Sequence, residues 1–107
     1  MELFSFPYRR VKLWFQRMFR GWDDADTWAL DCTLAAFLAP RLRRFKELTN
    51  GYPNSLTEQE WDNILDELIW TFEFIGSDAY WESNPENYER MERGLDLFRK
   101  YFNELWW

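Results

Sequence analysis

Histidine is absent from this 107-residue sequence, and cysteine occurs once, at Cys32. No intramolecular disulfide can form, and the usual Cys/His zinc site has no ligand set. Imidazole acid–base catalysis is excluded for the same reason. Any catalysis would fall to carboxylates, Lys, Arg, Tyr or Cys32. Long apolar runs are also lacking: none approaches the ~18 uncharged apolar residues that read as a membrane-spanning helix. The first residues do not carry the apolar core and small-residue cleavage site of a signal peptide, so a reducing cytoplasm is the expected compartment. Glycine and proline are scarce, at four each, which makes every break in the chain informative.

What is abundant is aromatic side chain. Phe, Trp and Tyr make up 21% of the residues, with eight Trp among them. Disordered chains are poor in aromatics, and this length suits one domain, residues 1–107, in which every helix contributes to a single core. Eight Trp exceed what a small core needs, so some should lie on a contact surface. Charge is divided unevenly. Residues 1–46 carry nine Lys/Arg against five Asp/Glu, a net of +4, whereas residues 47–107 carry four against fourteen, a net of −10. The simplest account is that the two halves pack together and partly neutralise each other.

The spacing predicts four helices and no strand. The first runs from Pro7, suited to a first helical position, to Arg20, with Gly21 as its stop. Val11, Trp14, Phe15 and Met18 form one apolar stripe. The second begins at Asp23 or Asp24 and ends near Asn50-Gly51, with a kink or break at Pro40 that gives segments 24–39 and 41–49. The third opens on the capping box Thr57/Glu60, flanked by a Leu56–Trp61 hydrophobic staple, and continues through Ile64, Leu65, Leu68, Phe72 and Ile75 to Gly76. The fourth starts with Asn84 as cap and Pro85 behind it, then repeats Tyr88, Met91, Leu95, Phe98, Phe102 and Leu105. Gly94 within it would permit a close helix–helix approach. The expected fold is all-α, a small bundle of four helices, or five if Pro40 splits the second.

Several constellations could carry chemistry. Asp31 falls on the apolar face of helix two, where a carboxylate needs a partner; an arginine of helix one or of the 41–44 segment is the expected one. Asp62, Asp66 and Glu73 share an arc of helix three. With Asp31 they would make a carboxylate set for Mg²⁺ inside a bundle. Trp70 and Phe74 point away from the main stripe of helix three and are candidates for an external contact, as are Trp106 and Trp107. Arg41, Arg43, Arg44 and Lys46 crowd into one short segment that could hold phosphates. The acidic whole, with a pI near 4.6, argues against long duplex nucleic acid and for a small anionic nucleotide. Residues 1–20 have the pattern of a basic interfacial helix, although their expected role is to complete the bundle.

Two resemblances bear on these residues. The stretch Trp61–Ile75, WDNILDELIWTFEFI, resembles the acidic helices of all-α nucleotide pyrophosphohydrolases of the MazG type. Its carboxylates do not reproduce that family's E-x-x-E and E-x-x-D metal pairs. The stretch Gly21–Glu47, with Gly51-Tyr52-Pro53 and Trp61–Asp66, resembles a group of small proteins of tailed bacteriophages. Their shared pattern reads W-[DS]-x-x-D-T-W-x-L-D, P-R-L-x-x-F-K-E, G-Y-P and W-D-x-I-L-D. This resemblance implies a viral protein made in an infected bacterium, of the kind that acts as an accessory factor on a host component. It singles out Asp26, Asp31, Arg41 and Lys46 as the polar positions of the pattern. With Trp28 and Arg44 they form the candidate ligand-binding set.

The function these readings favour is a non-catalytic phage accessory protein acting on a host or defence component, either a protein or a small anionic nucleotide. No cofactor is expected for it, and a homo-oligomer is expected through Trp70 and Phe74. The alternatives are a Mg²⁺-dependent nucleotide pyrophosphohydrolase using Asp31, Asp62, Asp66 and Glu73, and a peripheral membrane protein held by helix one.

Overall fold

Thr57 and Asn84 start the two central helices by the chemistry their side chains offer. In the computed structural model, which describes residues 2–106 with side chains from Arg9 to Trp106, Thr57 Oγ1 accepts from Glu60 N at 3.1 Å. Glu60 Oε1 in turn accepts from Thr57 N at 2.8 Å. Two otherwise orphaned donors are thereby satisfied, and helix α3 runs Glu58–Ile75. Asn84 Oδ1 accepts from Glu86 N and Asn87 N ahead of Pro85, and helix α4 runs Pro85–Tyr101. Two further helices precede them, α1 over Glu2–Arg20 and α2 over Leu30–Leu48. Short 3₁₀ turns lie at Asp24–Thr27, Asp78–Trp81 and Phe102–Glu104. The described residues contain no strand, so the protein is a small all-α helical bundle.

The core belongs to three of these helices. Ala35, Ala39 and Leu42 of α2, Trp61, Leu65, Leu68, Ile69, Phe72, Phe74 and Ile75 of α3, and Met91 of α4 form one buried cluster. Helix α3 lies in the middle and buries most of its surface. Gly94 of α4 sits directly on Thr71: a Cβ at that glycine would stand 1.7 Å from Thr71 Oγ1. The close approach foreseen from Gly94 is therefore real. Ion pairs join the basic and acidic halves, with Arg43 bidentate on Glu73 and Lys46 on Asp66 between α2 and α3; within the acidic half Arg90 is bidentate on Glu67 between α4 and α3.

Three features differ from the sequence reading. Helix α1 continues through Pro7 rather than starting there; a 19-residue helix tolerates the single backbone bond a proline removes. Helix α2 is not split at Pro40. Arg41 donates from Nη1 to the carbonyl of Phe37 at 2.9 Å and stacks its guanidinium over the Phe37 ring, which supports the backbone beside the carbonyl that Pro40 leaves without a donor. The break falls instead at Trp28–Ala29. Asp23 accepts from Ala25 N, and Asp26 accepts from Asp23 N. This local capping closes a 3₁₀ turn before the longer helix can begin.

The third difference concerns where α1 lies. It does not complete the bundle: none of its residues from Arg9 onward belongs to the core. It meets the rest of the chain at the Asp24–Thr27 turn, and the molecule extends 59 × 35 × 18 Å.

Candidate functional site

The polar side of α1 faces an acidic turn. Arg17 bridges Asp23 and Asp26 at 2.9 Å, Arg20 reaches Asp24 at 2.9 Å, and Lys12 reaches Asp24 at 3.3 Å. Gln16 both donates to Asp24 and accepts from its backbone N–H. The Asp23 hydrogen bond and charge push the Arg17 pKa still higher, with help from Asp26. The Gln16 and Arg20 hydrogen bonds hold the Asp24 carboxyl below the usual carboxylate range. Gly21, at φ +80°, lets the chain reverse between helix and turn in a conformation that favours glycine.

Because the basic side is tied down, the apolar side points outward. Val11, Trp14, Phe15, Met18 and Phe19 are all exposed, Phe19 to 78%. They lie within one arc of the helix opposite Lys12, Gln16, Arg17 and Arg20. Helix α2 carries a matching exposed stripe, Leu30, Leu34 and Phe37, on the side away from Ala35, Ala39 and Leu42. Between the two, Trp22, Asp26, Thr27, Leu30, Phe37 and Arg41 line a groove of about 800 Å³ together with Arg17 and Gly21. Spacing could have revealed the α2 stripe, since positions 30, 34 and 37 share a helical face.

The candidate ligand set does not converge. Asp26 and Arg41 line this groove, whereas Trp28 stands 87% exposed beside Lys12, Leu13 and Asp24. Arg44 pairs with Glu47 within α2, and Lys46 pairs with Asp66. Asp31 is not buried and its partner is not an arginine. It lies exposed in the first turn of α2, accepting from the Tyr80 hydroxyl at 2.7 Å and from Cys32 N at 2.9 Å. The Tyr80 bond, then the Cys32 backbone bond, lower the Asp31 pKa. The same contact, with burial, pushes Tyr80 up to about 12. Tyr80 was not foreseen, because nothing local ties residue 80 to residue 31. Cys32 is half-buried against the carbonyl of Ile75, and burial raises its thiol pKa.

The carboxylate set of the hydrolase reading is likewise dispersed. Asp66 is held by Lys46, Glu73 by Arg43 and Asp31 by Tyr80, while Asp62 lies half-buried near the start of α3. Among the described residues no three of His, Cys, Asp or Glu are grouped so as to hold a metal ion. Helical phase placed Asp62, Asp66 and Glu73 in one arc, but that arc faces the cations of α2.

Trp70 and Phe74 are covered, which corrects their assignment to an external contact. Arg90 lies over the Trp70 ring at 4.0 Å, and Trp70 stacks on Phe74. Phe74 is buried under Tyr80 and Tyr88 in edge-on contacts. Helix α4 and the Asp78–Trp81 turn supply this cover. Trp106 is 73% exposed, yet its inner edge joins Trp61, Tyr52 and Pro53 around a cavity of about 220 Å³. Trp107 lies outside the described residues.

Fold and site together define the protein as a small all-α bundle with an uncovered aromatic face along α1 and α2. No protein family, curated protein or solved structure matches the chain. Among the described residues, no helix is long and apolar enough to cross a membrane.

Proposed function

We propose that this chain is a non-catalytic accessory binding protein of a tailed bacteriophage, working in the cytoplasm of the infected bacterium by docking protein through the outer face of α1 and α2. The observation that carries this reading is that face itself: eight large apolar side chains on two neighbouring helices, about half or more exposed. Exposed apolar faces of that size on a small protein mark an interaction site. Its aromatic content is that of protein contact cores. A protein partner fits better than a small anion, because Arg44 and Lys46 already bind carboxylates. It also fits better than an anionic bilayer. Lys12, Arg17 and Arg20 are paired with Asp23, Asp24 and Asp26, which reduces the charge that would draw α1 to anionic lipid.

The test is capture from infected cells with the tagged full-length chain, in wild-type form and as Phe15→Asp and Phe19→Asp. Proteins retained by the wild type are expected to be lost from both variants, because a charge is placed in the centre of the docking face. Equal retention by all three would defeat the proposal.

A further inference from the structure

Three helices build the core, and a fourth, α1, stands outside it with an apolar stripe that the described residues leave about half or more exposed. Helix α2 has the complementary deficit, an apolar stripe on the side away from α3. We propose that a second copy of this chain fills both deficits: α1 of each protomer lies along the α2 stripe of the other, so that the two three-helix cores each gain a fourth helix by reciprocal exchange. This rests on the reading of the α1–α2 face as a protein-docking surface and names its occupant.

The two stripes match in length and in character. From Val11 to Phe19 the α1 stripe covers ~12 Å of helix axis, and from Leu30 to Phe37 the α2 stripe covers ~10 Å. Trp14, Phe15 and Met18 form the middle of one and Leu34 the middle of the other, and Arg41 stacks its guanidinium on Phe37 at the far end of the α2 stripe. Basic residues lie on the opposite side of α1, where Arg17 and Arg20 hold the Asp23–Asp26 segment. With those ion pairs formed and the Gly21 turn in place, α1 presents its stripe outward rather than onto its own α2. A groove of about 800 Å³ remains between the end of α1 and the α2 stripe, walled by Trp22 on one side and Leu30 and Phe37 on the other.

The area suffices for a stable pair. An aromatic side chain buries ~150–250 Å², so each of Trp14, Phe15, Phe19, Trp22 and Phe37, exposed by 46–78%, has on the order of 100 Å² to contribute. With the exposed aliphatic residues of both stripes the face reaches roughly 800 Å² per chain, the size of a standard stable interface. Exchange of one element between identical chains is a low-cost route to a two-fold dimer, because both contacts are made twice.

Sedimentation equilibrium of the full chain tests the proposal. The wild type is expected to dimerise with a dissociation constant of ~10 μM or tighter. Met18→Glu and Leu34→Lys, each at an exposed position of the free chain, should each remain as helical as the wild type by circular dichroism. Each should also weaken self-association by at least ~30-fold. Mixed together, the two variants should form a heterodimer, because one of its two contacts is wild type on both sides and the other pairs Glu with Lys. The reciprocal arrangement is overturned if neither substitution weakens the dimer. It is also overturned if Leu34→Lys leaves the dimer intact while Met18→Glu abolishes it, or if the mixture fails to associate; the last two outcomes would place α1 against α1. A wild type that stays monomeric at ~200 μM, well above that constant, also overturns it. The docking reading would then survive if capture from infected cells is still lost in Phe15→Asp, and would fail too if the chain instead floats with phosphatidylserine-containing vesicles.

Discussion

Asp31 and Tyr80 are 49 residues apart and share a 2.7 Å hydrogen bond that ties the start of α2 to the Asp78–Trp81 turn. The bond makes the two groups titrate away from each other. Asp31 has a folded pKa below its unfolded value, so its contribution to stability is complete above the ordinary carboxylate pKa of ~3.9 and is lost as pH falls through the lowered value. Tyr80 is raised to about 12, so its contribution is complete below ~10 and is lost as pH rises through the raised value. The tie should therefore hold unchanged from about pH 5 to about pH 9. We expect the stability difference between wild type and Tyr80→Phe, measured by urea unfolding, to stay constant across that window and to shrink below about pH 4. A difference that is already absent at neutral pH would show that the bond contributes nothing. Helical phase singled out Asp31 as a carboxylate in need of a partner. It could not name the partner, because only the packing of the Asp78–Trp81 turn brings Tyr80 to it.

Single helices were the most legible level of organisation. The Thr57/Glu60 box, the Asn84 cap and the α3 stripe all act within a few residues of one another, so short-range chemistry determines them. Pro40 misled because the hydrogen bond it removes, to the Ala36 carbonyl, is one of many in a 19-residue helix that also buries Ala35, Ala39 and Leu42 in the core. Asp23 misled in the other direction, since a strong cap can close a 3₁₀ turn as readily as it can begin a long helix. Gly94 combines a local and a tertiary effect. Alanine there would gain ~1 kcal/mol in helix propensity, but its Cβ would meet Thr71 Oγ1 at 1.7 Å and Thr71 Cβ at 2.8 Å. Forcing extra atoms into a packed contact costs ~1–3 kcal/mol, and a contact this short belongs at the upper end. Gly94→Ala should therefore lose about 1 kcal/mol or more net, read as a lower urea midpoint with an unchanged slope. An unchanged or higher midpoint would mean that α4 can move off α3 without loss.

At the scale of the whole molecule, the elongated outline and the displaced α1 are one fact. Helix α1 is held by exposed ion pairs, which contribute little individually, and it buries no stripe of its own. Its stability in the free chain should be low compared with α3, which is packed between α2, α4 and the Asp78–Trp81 turn. Amide hydrogen exchange checks both this and the dimer. At concentrations below the dimer dissociation constant, α1 amides should exchange far faster than those of α3. As protein concentration rises, protection should grow in α1 and along Leu30–Phe37 while α3 stays unchanged, because association stabilises only the state it binds. Protection in α1 that is independent of concentration would argue that its stability comes from within the chain.

The sequence by itself determined the helical class, the caps of α3 and α4, the apolar faces of α1 and α3 and the excess of aromatic residues over one small core. Each of these depends on the period of the chain and on residues a turn apart. Only the tertiary structure decided which apolar faces were used. Trp70 and Phe74, outward by helical phase, are covered by α4 and the Tyr80 turn, whereas Trp14, Phe15 and Met18, which looked like the missing wall of a bundle, stay in the open. The physical reason is that a helical wheel fixes the angle between side chains on one helix but says nothing of what lies across from them. Here that was settled by a glycine turn and a set of Arg–Asp pairs that hold α1 by its polar side.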